Sequence, residues 1–196
     1  KLDDYAQPIV LYKDELDMSL ITDKTMLKAL SEMKDNDVVF SGIHNGTIEN
    51  YLELAEEYKI NSIGKNDSQI LLTILFYKNY DVLQKYIGTA ALIWHNYALN
   101  ESFVFKGASL SWESATTISE ERPLYTWTID NENYYLSSIA ESLRFIQNGK
   151  NEPVYIVKED TLYKFKDGAN VSSKKYDRSN CMQYKQKKYT NTLPIN

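Results

Sequence analysis

Two periods of apolar and polar positions run along this chain, and the switch between them divides it. Met26, Leu27, Leu30 and Met33 fall on one stripe and predict an amphipathic, core-packing helix over 24–34, with Asp23 as its N-cap. Helical spacing returns at Ile48, Tyr51, Leu52 and Ala55, predicting a helix over 48–58. Over 68–78 the apolar positions Ile70, Leu71, Ile74, Leu75 and Tyr77 are dense enough to predict a mostly buried helix, and a short one is expected over 81–87. From Thr89 onward the pattern becomes that of β-hairpins. Thr89–Trp94 is expected to pair with Ser102–Lys106, Leu124–Thr128 with Tyr134–Ser138 across the turn-rich 130–133, and Val154–Val157 with Leu162–Phe165, with a turn at Asp167-Gly168. The unbroken run Ala90-Ala91-Leu92-Ile93 reads as a strand covered on both faces. Between the hairpins, 139–147 reads as a helix closed by Asn148-Gly149. Near the start, Ile9–Tyr12 and Val38–Phe40 read as short strands.

Composition narrows the class. At 196 residues the chain suffices for one substantial domain, expected over 1–170, and its 43% hydrophobic and 25% charged content is that of a globular protein. A net charge of −5 argues against a general nucleic-acid surface. The exception is residues 171–196, where Lys174, Lys175, Arg178, Lys185, Lys187 and Lys188 interleave with Tyr176, Tyr184 and Tyr189. Such a stretch can contact nucleic acid or an acidic protein surface, but a solvated tail is the expectation here. A single cysteine, Cys181, precludes a disulfide framework and fits a reducing compartment. No apolar run is long enough for a bilayer span, so the protein is read as cytoplasmic, or alternatively as a virion component. The wealth of Tyr, Lys, Asn and Asp points to an AT-rich bacterial or phage genome.

The candidate chemistry gathers at Ser41-Gly42-Ile43-His44-Asn45-Gly46-Thr47-Ile48-Glu49-Asn50-Tyr51. A strand signal, Val38-Val39-Phe40, enters a His-Asn-Gly step and a helical pattern leaves it, which predicts a strand-to-helix corner at Asn45-Gly46. Backbone N–H groups at such a corner, beside an Asn amide, can form an oxyanion hole for the charge that develops on a carbonyl oxygen. Two histidines and one cysteine make no credible zinc set, no phosphate-binding loop is present, and no cofactor is expected. The adjacent acids Glu120 and Glu121 read as a solvated face, not as glycosidase carboxylates.

The run resembles the His-Asn-Gly-x-Ile-x-Asn signature of class II glutamine amidotransferase domains, a family of N-terminal-nucleophile hydrolases. Further segments keep that family's order. Tyr5-Ala6-Gln7-Pro8 is similar to its Asn-Ala-[His/Gln]-Pro element, and Asn66-Asp67-Ser68-Gln69 to its [Ser/Thr/Asn]-Asp-[Ser/Thr]-[Glu/Gln] motif. Gly88 to Trp94, Arg122-Pro123-Leu124-Tyr125 and Leu136 to Leu143 resemble its later strands and its strand-to-helix step. The resemblance implies an α+β fold, a four-layer αββα sandwich, and L-glutamine as the substrate. It implies Asn45 and Gly46 as the oxyanion hole and Asp67 as the holder of the substrate's α-amino group, with His44 packing or hydrogen-bonding beside the site and not acting as a base. Read without the resemblance, Asp67 is a helix N-cap, and one carboxylate can serve both roles. Residues 13–37 become an insertion that covers the site, meets a partner or forms a surface excursion.

The same resemblance implies components outside this sequence. The family's nucleophile is an N-terminal Cys whose own α-amino group is the base, whereas this chain begins with Lys1 and its cysteine is near the other end. The family's Arg motif for the substrate carboxylate has no counterpart in residues 1–43, which contain no Arg. The expectation is therefore a domain truncated at its N-terminus, with a missing segment or neighbouring chain covering the exposed sheet, and a chain that by itself does not hydrolyse glutamine. Two readings stand: the larger part of a working amidotransferase, and a catalytically silent structural or interaction module.

Overall fold

A computed structural model describes residues 7–107, 122–128, 134–150, 152–167 and 169–178. The expected Glu120-Glu121 face, the 130–133 turn, Gly168, Cys181, and Tyr5 and Ala6 of the Gln-Pro element lie outside them, as does the tail beyond 178.

β1 (Ile9–Tyr12) pairs antiparallel with β2 (Val38–Ile48), which pairs with β3 (Gly88–Asn96) along its whole length. β4 (Glu101–Lys106), β8 (Thr161–Lys166) and β9 (Ala169–Lys175) complete a six-stranded antiparallel sheet of order β1-β2-β3-β4-β8-β9. A second antiparallel sheet holds β6 (Tyr134–Ser137), β5 (Tyr125–Thr128) and β7 (Tyr155–Ile156) in that order. The helices are α1 (Lys24–Glu32), α2 (Tyr51–Glu57), α3 (Asp67–Phe76) and α4 (Ala140–Ile146).

Alternation along β2 decides which side of the large sheet is the main core. Phe40, Gly42, His44 and Ile48 face α3 and are buried, whereas Ile43 and Asn45 face the other way and are exposed. α3 is apolar nearly all round, with Ile70, Leu71, Leu72, Ile74, Leu75 and Phe76 all shut from water. It lies close over β2 because Gly42 has no side chain: a Cβ there would come within 2.8 Å of Leu72. On the opposite face a smaller cluster of Ala91, Val104, Leu124 and Val157, joined by Ile93 and Leu136, packs the second sheet onto the first. α4 then packs on β5 and β6.

Helix α1 forms where its stripe predicts, with the Asp23 carboxylate accepting from the Met26 N–H and ion-paired with Lys78 at 2.6 Å. Met26 and Leu30 enter the main core, so this part of the 13–37 excursion is integral to the fold. The β3–β4 and β5–β6 hairpins form in the expected places, and Asn148 and Gly149 close α4 with positive φ.

Four expectations are corrected. The strand does not turn at Asn45-Gly46: β2 runs on to Ile48, because β3 offers a pairing partner for every residue from Phe40 to Ile48. The turn tendency of Asn-Gly yields to that ladder, and the helix starts at Tyr51. The short helix expected over 81–87 forms with other bounds, as a 3-10 helix over Tyr80–Gln84. The Val154–Val157 and Leu162–Phe165 segments are not a hairpin: β7 joins β5 in the small sheet, while β8 joins β4 and β9 in the large one. The basic stretch from 171 is not a solvated tail at its start, for Val171–Lys175 belong to β9 and Tyr176 and Arg178 are buried. Arg178 stacks on the Tyr86 ring at 3.7 Å and donates to the Tyr86 hydroxyl and carbonyl. The fourth correction concerns Asp67, which is not the N-cap of α3 and is described with the site.

Candidate functional site

The Asn66-Asp67-Ser68-Gln69 motif divides into two tasks. Its outer residues form a capping box: the Asn66 side chain accepts from the Gln69 N–H at 2.8 Å and the Gln69 side chain accepts from the Asn66 N–H at 2.9 Å. Asn66 is therefore the N-cap. The inner residues face β2. Asp67 Oδ2 accepts from the Ile48 N–H at 2.8 Å and Oδ1 from the Ser68 N–H at 2.8 Å. The Ser68 hydroxyl also lies 3.4 Å from Oδ1, and of the roughly four lone-pair sites of an ionised carboxylate at least one remains for a ligand.

His44 is buried beneath the same strand. The Thr89 carbonyl can only accept, so His44 Nε2 carries the proton and donates to it at 3.2 Å. Nδ1 is then the acceptor for the Ser68 hydroxyl at 2.9 Å. Burial holds this imidazole below the usual histidine range, and the positive charge of Arg122 pushes the same way against the opposing pulls of the Thr89 carbonyl and Asp67. The ring is a neutral cross-link among β2, β3 and α3. Gly46 is required beside it: at φ 157°, a Cβ would sit on the Thr89 carbonyl and on His44 Nε2.

Beyond β1, the outer edge of β2 is held at two points among the described residues. The β1–β2 register ends with Ile9 opposite Gly42, and two residues further Gln7 would stand opposite His44. There the Gln7 side chain takes the place of the ladder. Its Nε2 donates to the His44 carbonyl at 2.6 Å and its Oε1 accepts from the His44 N–H at 2.7 Å. Asp67 holds the Ile48 N–H on the same edge. Strand alternation turns the intervening Gly46 N–H toward that edge. The β3 side agrees, since the Ala90 carbonyl opposite Gly46 faces β4, where it accepts from the Gly107 N–H at 2.8 Å. Among the described residues the Gly46 N–H makes no backbone hydrogen bond outside the sheet ladder.

Next to it opens a cleft of about 240 Å³ between the two sheets. Ile43, Ala91, Ile93, Leu124 and Leu136 give it apolar walls, and Gln7, Asn45, Ser137 and Ser138 give it polar groups. Ser137 Oγ already accepts from the Ile139 N–H at 3.0 Å. Asn45 and His44 line the cleft; Gly46 and Asp67 are not among its lining residues and adjoin it along the β2 edge.

The fold of this chain is similar to that of a solved structure, the allosteric regulatory enzyme of purine biosynthesis. The TM-score is 0.50 and the identity 15%, over 70% of this chain and 28% of that one. The likeness is one of fold. This chain thus spans well under a third of that protein's length. A glutamine aminotransferase class-II domain protein from Silicibacter pomeroyi also aligns, over 79% of this chain and 81% of its own, at 8% identity and a TM-score of 0.43. No family model matches the chain, and no curated protein matches it.

The sequence reading named Asn45, Gly46, Asp67 and His44, and all four fall on β2 or at the start of the α3 helix over it. It did not assign roles to Gln7, Ser137 and Ser138. Gln7 carried a signal, since an amide beside a proline at a strand end can replace a missing ladder bond. Arg122, whose charge reaches His44, carried a signal only as part of the Arg-Pro-Leu-Tyr segment. Among the described residues no metal-holding group of three or more His, Cys, Asp or Glu gathers, and no helix is long and apolar enough to cross a membrane.

Proposed function

We propose that the cleft binds L-glutamine by its side-chain amide, in a domain of the class II glutamine amidotransferase type. The observation that carries this reading is the Gly46 N–H, turned to the outer edge of β2 between the Gln7 and Asp67 contacts and beside the exposed Asn45 amide. Two such donors side by side suit a carbonyl oxygen that gains negative charge. Asp67, with a lone-pair site to spare, takes the substrate's α-amino group. The order of packing supports a four-layer αββα frame of the N-terminal-nucleophile hydrolase type: α3 on the large sheet, the large sheet on the small one, α4 on the small one.

In a complete domain of this type a cysteine thiolate adds to the amide carbon. The tetrahedral oxyanion rests on the Asn45 amide and the Gly46 N–H. Its collapse breaks the C–N bond, the nitrogen takes up a proton and leaves as ammonia, and water then releases glutamate from the thioester. This chain's residues supply the oxyanion donors and the amine anchor, and the N-terminal cysteine of the family supplies the nucleophile.

A second reading, an amidotransferase-like interaction module without activity, is favoured by the apolar surface of α4 and β7. Phe145 there is 86% exposed and Ile156 60% exposed.

Titration of ¹⁵N-labelled protein with L-glutamine tests the first reading. The Gly46 and Asn45 amide resonances should move, D-glutamine should leave them in place, and Asp67→Asn should weaken binding by roughly 1.5–3 kcal/mol, one charge-assisted contact. Silence of the Gly46 resonance at saturating L-glutamine would sink it in favour of the second.

A further inference from the structure

We propose that Gln7 is a positioning residue of this site: its carboxamide fixes the His44 main chain and so sets the placement of Asn45 and the direction of the Gly46 N–H. The inference rests on the glutamine reading for its functional meaning, but its structural content is independent of it.

The argument begins with what the strand lacks. β2 needs a partner on its outer edge to hold its pleat, and β1 supplies one only as far as Ile9 opposite Gly42. Beyond that point the edge has two tethers among the described residues, the two-pronged Gln7 contact on His44 and the Asp67 contact on Ile48. They flank Gly46 at equal spacing, two residues on either side. A glycine is the position most free to rotate its peptide, so the aim of its N–H depends on neighbours that are held. Asp67 supplies only an acceptor on its side. Gln7 supplies a donor and an acceptor together, at 2.6 and 2.7 Å, and so fixes both the position and the tilt of the peptide planes around His44. Gln7 also lines the cleft, so the residue that holds the main chain borders the ligand space. Among side chains of this length only a carboxamide meets the demand at neutral pH. A glutamate can accept from the His44 N–H, but it cannot donate to the His44 carbonyl until it is protonated.

That last point supplies the test. The amide resonances of Gly46 and Asn45 are followed without ligand in the wild type, Gln7→Ala and Gln7→Glu, over a pH range spanning the ordinary glutamate value of about 4.3. Gln7→Ala should displace both resonances at every pH. Gln7→Glu should displace them near neutrality and bring them back toward the wild-type positions at the same pH as its carboxyl gains a proton. A purely structural role for residue 7 gives no such acid rescue. L-Glutamine affinity should fall about tenfold in both variants at neutral pH, the loss of one good hydrogen bond. Gly46 and Asn45 resonances in Gln7→Ala that coincide with the wild type, or an undiminished glutamine affinity, overturn the inference. So does a folded Gln7→Glu variant whose resonances ignore its titration. If the wild type takes up no glutamine while the resonances behave as expected, the glutamine reading fails and the positioning role of Gln7 stands.

Discussion

His44 and Ile43 are neighbours in one strand, yet His44 is closed to solvent while Ile43 keeps 43% of its surface exposed. The contrast extends to the two faces of the large sheet. On the α3 face, Phe40, Leu72, Phe76 and Trp94 belong to one continuous core, with Trp94 stacked on Phe103 at 5.0 Å. On the other face, four buried residues carry the contact with the small sheet, and beyond it α4 and β7 leave Phe145, Ile146, Tyr155 and Ile156 exposed. The candidate site lies on the boundary. Its main chain is anchored into the dense side through His44, Ser68 and Asp67, while its cleft is walled by the sparse side through Leu124 and Leu136. This division suits a site that needs rigid donors and an adaptable wall.

Substitutions on the dense side should cost most. Phe76→Ala empties a fully buried position in contact with Phe40 and should lower unfolding free energy by about 3–5 kcal/mol in denaturant titrations. A cost under about 1 kcal/mol would mean that the α3 face collapses around the cavity, and the contrast between faces would be lost. Gly46→Ala should follow at about 1–3 kcal/mol, because its Cβ meets the Thr89 carbonyl and the His44 ring in a strained backbone. Its signature is local: the His44 imidazole resonances should move. An unmoved ring would separate Gly46 from the His44 cross-link.

Acid sharpens the same point through His44, with His95, also lowered by burial, adding to the same decline. His44 is held below the usual histidine range by burial, so the unfolded chain takes up its proton first as pH falls. The stabilising contribution of the neutral ring is complete above the unfolded value of about 6.5 and is lost as pH falls from there through the lowered folded value. Asp23 and Asp81, whose carboxyls are lowered by Lys78 and Lys85 respectively, lose their contributions at lower pH still. Wild-type melting temperature should therefore begin to drop below about pH 6.5, and a His44→Asn variant, less stable at neutral pH, should show a shallower decline there. Parallel curves would exclude His44 as the titrating group. Smallest of all, Phe145→Ser on exposed α4 should stay within about ±0.5 kcal/mol. A larger loss would show that the sparse side is packed in solution.

Much of this was legible in the residues. The α1 stripe with Asp23 as its cap, the dense apolar helix after Asp67 and the β3–β4 and β5–β6 hairpins follow from local periodicity and cap chemistry, which depend only on near neighbours. The four named site residues were legible as a motif in order. Their arrangement was not. Asn-Gly favours a turn in isolation, but the nine-residue pairing of β2 with β3 outweighs that tendency and keeps the strand extended. Asp67 looked like a cap because carboxylates cap helices, and only the closeness of α3 to β2 turned it toward Ile48 while Asn66 took the cap. Val154–Val157 and Leu162–Phe165 offered two apolar strands at hairpin distance, yet long-range partners drew them into different sheets. What the sequence determined by itself is the set of elements and the residue types at the β2 edge. Which donors faced the outer edge of β2 and what held them there were decided by the tertiary structure, because hydrogen-bond direction in a sheet depends on partners far away in the chain.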